Sequence, residues 1–236
     1  MAELVREGHK IAVFHGDRTQ TIPMASPTLT CLEDHEQGQA AAITPVCAAG
    51  LVGIRSENQY ISASLARLGV PVLGLCSSDA GICRLRKVDS GNKSVIEATQ
   101  IDPRWLQIIC DHGGVPILCN LALAPWGEYY LVDADHMAAV CAGNWKVDAL
   151  VYLTSVDGVR SHNGSLMRWL DLSDIEALRA QHFVSGDMLL KLKRCRDALR
   201  QGVGRVRILP AANADVLQSI FSSRMEYGTE IYIGQA

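Results

Sequence analysis

Short apolar runs alternate with helical stretches along most of this chain. The runs are rich in valine, isoleucine and leucine, which is typical of parallel strands covered on both faces. Strands that are joined by one helix each enter a sheet through right-handed crossovers. The sequence therefore predicts a three-layer α/β/α sandwich with a mainly parallel sheet. The predicted strands are residues 10–15, 70–75, 115–119, 148–154, 205–209 and 230–233. The predicted helices are residues 2–8, 57–68, 103–112, 133–142, 172–180, 187–201 and 215–221. A small antiparallel pair of strands is predicted for residues 82–88 and 94–98.

The composition and the charge exclude several classes of function. The 236 residues are 48% hydrophobic, carry a formal net charge of −3 and contain no run of lysine or arginine, so nucleic acid is not an expected partner. The longest weakly polar stretch, residues 40–54, is shorter than the roughly 20 residues that a membrane-spanning helix needs. The charged N-terminus has no apolar segment of a secretory signal. We therefore expect a cytoplasmic protein without membrane contact.

Eight cysteines are spread along the chain, and no two of them lie within four positions of each other. Zinc sites typically use closely spaced pairs, and disulfides are rare in a reducing compartment. Isolated cysteines in apolar runs behave as small hydrophobic residues. The sequence therefore predicts neither disulfides nor a cysteine metal site.

Four loops lie where a parallel α/β sheet binds its ligands, beyond the carboxyl ends of the strands. The last of them opens the predicted helix 187–201, whose N-terminus would face phosphate groups. No Gly-x-Gly-x-x-Gly follows a predicted strand, which argues against a dinucleotide oxidoreductase. The four loops are residues 15–18 (His-Gly-Asp-Arg), 133–136 (Asp-Ala-Asp-His), 154–158 (Thr-Ser-Val-Asp-Gly) and 184–187 (Val-Ser-Gly-Asp).

Segments 151–159, 184–191, 202–209 and 227–231 resemble the nucleotide lobe of the amino-acid kinase family, and within it the acetylglutamate kinases. The resemblance implies the sandwich fold of that family, with an amino-acid-substrate lobe over residues 1–143 and a nucleotide-binding lobe over residues 144–236. It implies ATP-dependent phosphorylation of an amino-acid side-chain carboxylate, of the arginine-biosynthesis type, with Mg²⁺ accompanying the nucleotide. The implied partners are a small amino-acid derivative, a nucleotide and further copies of the chain in a homodimer or higher homo-oligomer.

The resemblance also assigns roles to individual residues. Lys191 would neutralise the transferred phosphoryl group, and Ser155 and Asp157 would belong to the loop that organises it. Gly16, Asp17 and Asp133 would hold the substrate. The implied nucleotide-binding residues are Thr154, Gly158, Val184, Ser185, Gly186, Asp187 and Met188.

Several of these positions depart from the pattern of the family. Asp17 and Arg18 replace two glycines of a His-Gly-Gly-Gly loop, Asp133 replaces a substrate-binding asparagine, and Ser155 replaces an aspartate that Asp157 follows two residues later. A carboxylate about 4 Å from a transferring phosphoryl group costs on the order of 4 kcal/mol at an effective dielectric near 20, roughly a thousandfold in rate. These substitutions therefore predict impaired phosphotransfer.

Three further departures point the same way. Asp187 replaces the second glycine of a Gly-Gly-Met segment, and Asp34 lies where the family has an arginine for the substrate carboxylate. The first strand of the family, with its Lys-x-Gly-Gly motif, would precede residue 1. Three hypotheses follow: an impaired kinase, a pseudo-kinase that binds metabolite or nucleotide as a regulatory subunit, and an enzyme that accepts a cationic or neutral substrate in the same cleft.

The same residues can also be interpreted from general protein chemistry, without the resemblance to the family. Asp133, with Asp135 and His136, could bind a metal, although an aspartate-rich helix start more often complements the helix dipole. Lys191 lies near other cations of its helix and could belong to a solvated face. Asp17 could cap a turn or a helix.

Overall fold

A computed structural model of the protein describes residues 1–16, 48–90, 93–180, 184, 186–213, 215–221 and 226–234. Its described residues divide into two compact units, one within residues 2–141 and one that consists of Met1 and residues from 142 onward. Asp17, Arg18, Asp34 and Ser185 lie outside the described residues, so what the sequence predicts for them stays a prediction.

The first unit is built around a parallel sheet of three strands in the order β1, β5, β2. Because β5 is central, the carboxyl ends of the three strands meet at one edge, with Cys119 of β5 between His15 of β1 and Cys76 of β2. The first eleven elements of the chain are α1 (Ala2–Arg6), β1 (Val13–His15), α2 (Ala48–Ala66), β2 (Val72–Cys76), β3 (Cys83–Ser90), β4 (Lys93–Ile101), α3 (Arg104–Asp111), β5 (Val115–Cys119), β6 (Leu121–Leu123), β7 (Tyr129–Leu131) and α4 (Ala134–Trp145).

The core of the first unit lies between this sheet and its helices. Val115 and Ile117 of β5 are fully buried, and Ile61 and Leu65 of α2 pack against them as the apolar stripe of that helix predicts. Burying each such side chain contributes about 1.5–3 kcal/mol. Leu68 was expected on the same stripe but is exposed, because α2 has ended two residues before it.

Two antiparallel hairpins complete the first unit. β3 pairs with β4, which confirms the predicted antiparallel pair. β3 begins one residue later than predicted and ends two residues later, and β4 is longer than predicted at both ends. β6 pairs with β7, and neither strand was predicted, since three residues are too few to show a period. Gly127 forms the turn of this hairpin with a φ of 91°.

The second unit contains a four-stranded sheet in the order β8, β10, β11, β9. β8 runs parallel to β10 and β9 runs parallel to β11, whereas β10 and β11 are antiparallel. Together with the first sheet, this arrangement confirms the predicted α/β sandwich with a mainly parallel sheet. The elements are β8 (Ala149–Thr154), β9 (Trp169–Asp171), α5 (Leu172–Ala180), α6 (Gly186–Arg200), β10 (Arg205–Pro210) and β11 (Thr229–Tyr232).

Two sequence predictions for the second unit differ from the structure. β9 was not predicted, and it is held by its pairing with β11 more than by an apolar pattern of its own. The predicted helix 215–221 is replaced by a turn and a short 3-10 helix, Gln218–Phe221. Among the described residues, no helix combines the length and the apolar character that crossing a bilayer requires.

Candidate functional site

The loop after β8 is fastened to the start of β11. The backbone N–H of Val159 donates to Oγ1 of Thr229 over 2.9 Å. Gly158 has a φ of 139°, and a Cβ there would lie 2.7 Å from Oγ1 of Thr229. Gly228 has a φ of 71°, and a Cβ there would overlap the carbonyl oxygen of Ile208. Only glycine allows this close approach of the two loops.

Beside this loop, the second unit has an open cavity of about 620 Å³. Its volume falls within the roughly 300–1,000 Å³ of small-molecule sites. The cavity is lined by Ser155, Val156, Asp157, Gly158, Val159, Arg160, Val184 and Met188. The loop after β8 and the N-terminal turn of α6 therefore face one space, although about 25 residues separate them in the sequence.

Asp157 and Arg160 form an ion pair at the wall of the cavity. Nη2 of Arg160 lies 2.7 Å from Oδ2 of Asp157, and Nη1 donates to the carbonyl oxygen of Gly164. Both side chains are about half exposed, so the pair contributes at most about 1 kcal/mol to stability. Its main effect is local, because the guanidinium offsets the negative charge that Asp157 brings to the cavity.

Lys191 lies on α6 three residues after Met188, on the same side of the helix. Its Nζ is 4.7 Å from the centre of the Tyr152 ring, in a cation–π contact with a buried side chain of β8. Leu192 and Cys195 are fully buried and fix the helix against the sheet. Lys191 is therefore anchored on the sheet instead of belonging to a fully solvated face.

The loop 154–158 also borders a second cavity, of about 480 Å³. Ser155, Val156 and Asp157 line both spaces. The other residues around the second cavity are Leu166, Arg168, Pro210, Ala212, Asn213, Glu226, Tyr227 and Gly228. A ligand bound at this loop could thus extend to either side of it.

In the first unit, two of the positions predicted to hold substrate lie at the carboxyl edge of the sheet. Gly16 follows β1, and a Cβ there would lie 3.2 Å from Cβ of Ala134 and 3.5 Å from Nδ2 of Asn120. Asp133 caps α4, since its Oδ1 accepts hydrogen bonds from the backbone N–H groups of Asp135 (2.9 Å) and His136 (3.2 Å).

The sequence offers Asp133, Asp135 and His136 as candidate ligands of a metal ion, and their contacts in the structure can be compared with that interpretation. The Asp133 carboxylate complements the helix dipole, and Nε2 of His136 lies 2.8 Å from the carbonyl oxygen of Ala98. Within the described part of the chain, no cluster of three histidine, cysteine or acidic side chains could hold a metal ion.

Comparison with known proteins identifies the family. The amino acid kinase family matches residues 1–210. The chain belongs to the amino acid kinase family. It is 41% identical to the acetylglutamate kinase of Acidobacterium capsulatum, over 98% of this chain and 90% of the relative, and 34% identical to the acetylglutamate kinase of Koribacter versatilis, over 98% and 89%.

Solved structures of low identity share the fold of this amino acid kinase family member. The protein smu.665 of Streptococcus mutans superposes with a TM-score of 0.74 at 17% identity, covering 98% of this chain and 89% of that one. An isopentenyl phosphate kinase superposes with a TM-score of 0.63 at 15% identity, covering 98% and 88%. The fold and the family that the sequence motifs predicted are thereby confirmed.

The structure places most of the residues predicted for the nucleotide site around the loop after β8 and the start of α6. The structure brings Ser155, Asp157, Gly158, Val184 and Met188 to one cavity. The other described residues that were predicted to bind nucleotide are sequence neighbours of these five. Thr154 bonds the backbone of Val156 within the loop, Gly186 begins α6 with a φ of 55°, and Asp187 is exposed in its first turn.

Sequence reasoning missed several residues of this site. Arg160 follows Asp157 by three positions, a spacing that could have signalled the ion pair. Tyr152 carries no such signal, because a tyrosine within an apolar strand is interpreted as core until the helix that covers it is known. Val156 and Val159 line the cavity only because the loop between them turns at Gly158.

Proposed function

We propose that this protein is an acetylglutamate kinase-like phosphotransferase of low activity. It would transfer a phosphoryl group from ATP to the side-chain carboxylate of an acylated amino acid, as in arginine biosynthesis. The observation that carries the proposal is the cavity of the second unit, which is lined by Asp157, Gly158 and Met188 with Lys191 one turn further along α6. The 41% identity to an acetylglutamate kinase supports the choice of substrate class.

Each part of the cavity suits one part of a nucleotide. Gly158 lets a ligand approach the backbone closely, and the start of α6 offers N–H groups and a positive dipole end to phosphate oxygens. Lys191 supplies the positive charge that balances the transferred phosphoryl group. Mg²⁺ that accompanies the nucleotide would neutralise part of the charge of its phosphates.

The low activity follows from the charges at the site. The hydroxyl of Ser155 carries no charge where the family has an aspartate, and the Asp157 carboxylate is paired with Arg160. Asp133 presents an exposed carboxylate at a position that would hold an acidic substrate. Like charges at a substrate site weaken binding of an anion.

The same ion pair favours a second candidate function. If Asp157 remains on Arg160, its carboxylate does not organise Lys191, and the protein would bind nucleotide without turnover. It would then act as a pseudo-kinase, a metabolite- or nucleotide-binding regulatory subunit. A homodimeric or larger homo-oligomeric assembly belongs to either candidate as a prediction from the resemblance.

The two candidates differ in an assay of ADP release. Purified protein is incubated with ATP, Mg²⁺ and acetylglutamate, and nucleotide binding is measured in parallel by calorimetry. Turnover that is lost in Lys191→Met and kept in Lys193→Met, its neighbour on α6, supports the kinase. Binding without turnover supports the pseudo-kinase, and absence of both rejects the proposed nucleotide site.

A further inference from the structure

Asn58 lies on the face of α2 that packs against the first sheet, and its side chain is almost completely buried. Its Nδ2 is 2.9 Å from the carbonyl oxygen of Ile117 in β5 and 3.3 Å from that of Leu75 in β2. The same Nδ2 is 3.0 Å from Nε2 of His15, the last residue of β1. One amide nitrogen thus contacts all three strands close to the edge where they end.

The two carbonyl oxygens determine the orientation of the Asn58 amide. A carbonyl oxygen only accepts hydrogen bonds, so the NH₂ group of Asn58 must face Ile117 and Leu75. A flipped amide would bring Oδ1 against two oxygens inside the core, where unmatched polar groups are costly. Gly74 provides the space for Oδ1 in the observed orientation, because a Cβ at position 74 would overlap that atom.

The orientation of the amide in turn determines the protonation of His15. Nδ2 of Asn58 has two hydrogens, which three acceptors share, and it accepts no hydrogen bond itself. Nε2 of His15 must therefore face it with a lone pair. A hydrogen on Nε2 would point directly at another N–H group. We propose that Asn58 is a positioning residue that holds His15 as the neutral tautomer with its hydrogen on Nδ1.

This tautomer has consequences for the end of β1. The His15 ring keeps one donor, at Nδ1, and the hydrogen bond to Asn58 fixes the ring directly before Gly16. The loop that the family uses at its substrate site thus starts from a histidine of defined orientation and charge. The inference goes beyond the proposed function and does not depend on phosphotransfer.

The tautomer can be measured directly. Long-range ¹H–¹⁵N correlation spectra of the full chain, labelled with ¹⁵N-histidine, distinguish the two neutral tautomers from the imidazolium. The His15 signals are assigned by their loss in His15→Gln. We expect the pattern of a hydrogen on Nδ1 alone in the wild-type protein at neutral pH. A hydrogen on Nε2, or on both nitrogens, overturns the proposal.

Two variants test the role of Asn58. Asn58→Asp keeps the size of the side chain but presents an acceptor to Nε2, so the hydrogen is expected to move to Nε2 or to occupy both nitrogens. Ser62→Ala is the matched control, because Ser62 lies one turn along the same buried face and its hydroxyl bonds to the backbone oxygen of Asn58.

The control variant should keep the wild-type pattern. If Asn58→Asp also keeps it, Asn58 does not set the tautomer and the proposal fails. Should Asn58→Asp not fold, the wild-type spectrum still decides, since it alone can contradict the assigned tautomer.

Discussion

Gly228 sets how closely the loop after β8 can approach the last strand. Its φ of 71° is unfavourable for any residue with a Cβ, and that Cβ would also overlap the carbonyl oxygen of Ile208 and lie 2.6 Å from Cδ2 of Leu209. The positive φ strains only the local backbone, whereas the overlap of the added Cβ with Ile208 and Leu209 would displace β10. The two effects can be separated, because other glycines of the same unit have positive φ without a close neighbour.

Gly228→Ala is therefore expected to destabilise the protein on the order of 4 kcal/mol, at the upper end for single substitutions. Gly164→Ala is the matched control. Gly164 has a φ of 80°, and a Cβ added there would have no atom within 4 Å, so only the backbone cost of about 1–2 kcal/mol should appear. Urea denaturation of both variants measures the difference, and equal losses would show that the close approach to β10 is unimportant.

Six described cysteines are buried as thiols: Cys76, Cys83, Cys110, Cys119, Cys141 and Cys195. Burial raises the pKa of Cys83 and of Cys141 to about 12. At pH 8, roughly one in 10⁴ of such thiols is the reactive thiolate. This agrees with the prediction of small hydrophobic residues, which was made from the spacing of the cysteines and the apolar runs around them.

We expect these six thiols to resist maleimide in the native protein at pH 8 and to react within minutes in urea. Mass spectrometry of the digested protein identifies the labelled positions. Cys31 and Cys47 lie outside the described residues and serve as internal reporters of reagent activity once the chain is unfolded. Fast native labelling of Cys83 or Cys141 would contradict their burial.

At the scale of the elements, the accuracy of the sequence predictions depends on the length of each apolar run. β5 was predicted to the residue and β10 to within one, since five or six consecutive residues of a mostly buried strand leave a clear signal. β6, β7 and β9 have three residues each, and their stability comes from pairing with other strands. The predicted start of α2 was nine residues late, because the alanine- and glycine-rich segment before residue 54 shows no helical period.

A charged cluster inside the second unit was not predicted at all. Arg207 of β10 is 2% exposed, and its Nε lies 2.6 Å from Oε2 of Glu230, the residue of β11 that is paired with it. Arg205 lies 3.3 Å from the other carboxylate oxygen, and Nη1 of Arg207 donates to the carbonyl oxygen of Ser219. Alternating arginines in a strand indicate a solvated face unless the covering segment and the facing carboxylate are known.

Glu230→Ala is expected to cost about 3–5 kcal/mol, because it leaves the Arg207 guanidinium buried without its carboxylate. Arg104→Ala serves as the control, since Arg104 pairs with Asp102 on the surface and is 81% exposed. That variant should leave the denaturation midpoint unchanged. If both variants unfold at the wild-type urea concentration, the buried pair does not stabilise the second unit.

For the whole molecule, family and fold could be predicted, and the composition of the site could be predicted only in part. Motifs that are contiguous in the sequence identify the family, which the comparisons confirm. The cavity combines the loop after β8 with Val184 and Met188, so its lining depends on how the chain folds back. The substitution of Asp133 and its place at a helix start could be read from the sequence, whereas the two backbone N–H groups that its carboxylate accepts from could not.

Hydrogen exchange tests whether nucleotide binding is local to the second unit. If ATP occupies the cavity, peptides that contain residues 155–160 and 186–191 should exchange more slowly, and those of residues 115–136 should change only when acetylglutamate is added. At a nucleotide concentration of 100 Kd, binding stabilises the folded state by about 2.7 kcal/mol. The protection should therefore be large wherever exchange requires unfolding of that unit.

Lys191→Met and Lys193→Met provide the paired comparison for this measurement. Lys191 lies over Tyr152, three residues after Met188 of the cavity wall. Its replacement should weaken the protection by ATP more than the protection by AMP, which has no γ-phosphate to neutralise. Lys193→Met should behave as wild type with both nucleotides. Equal protection of both units by ATP alone, or equal weakening by the two variants, would place the nucleotide elsewhere and remove Lys191 from the site.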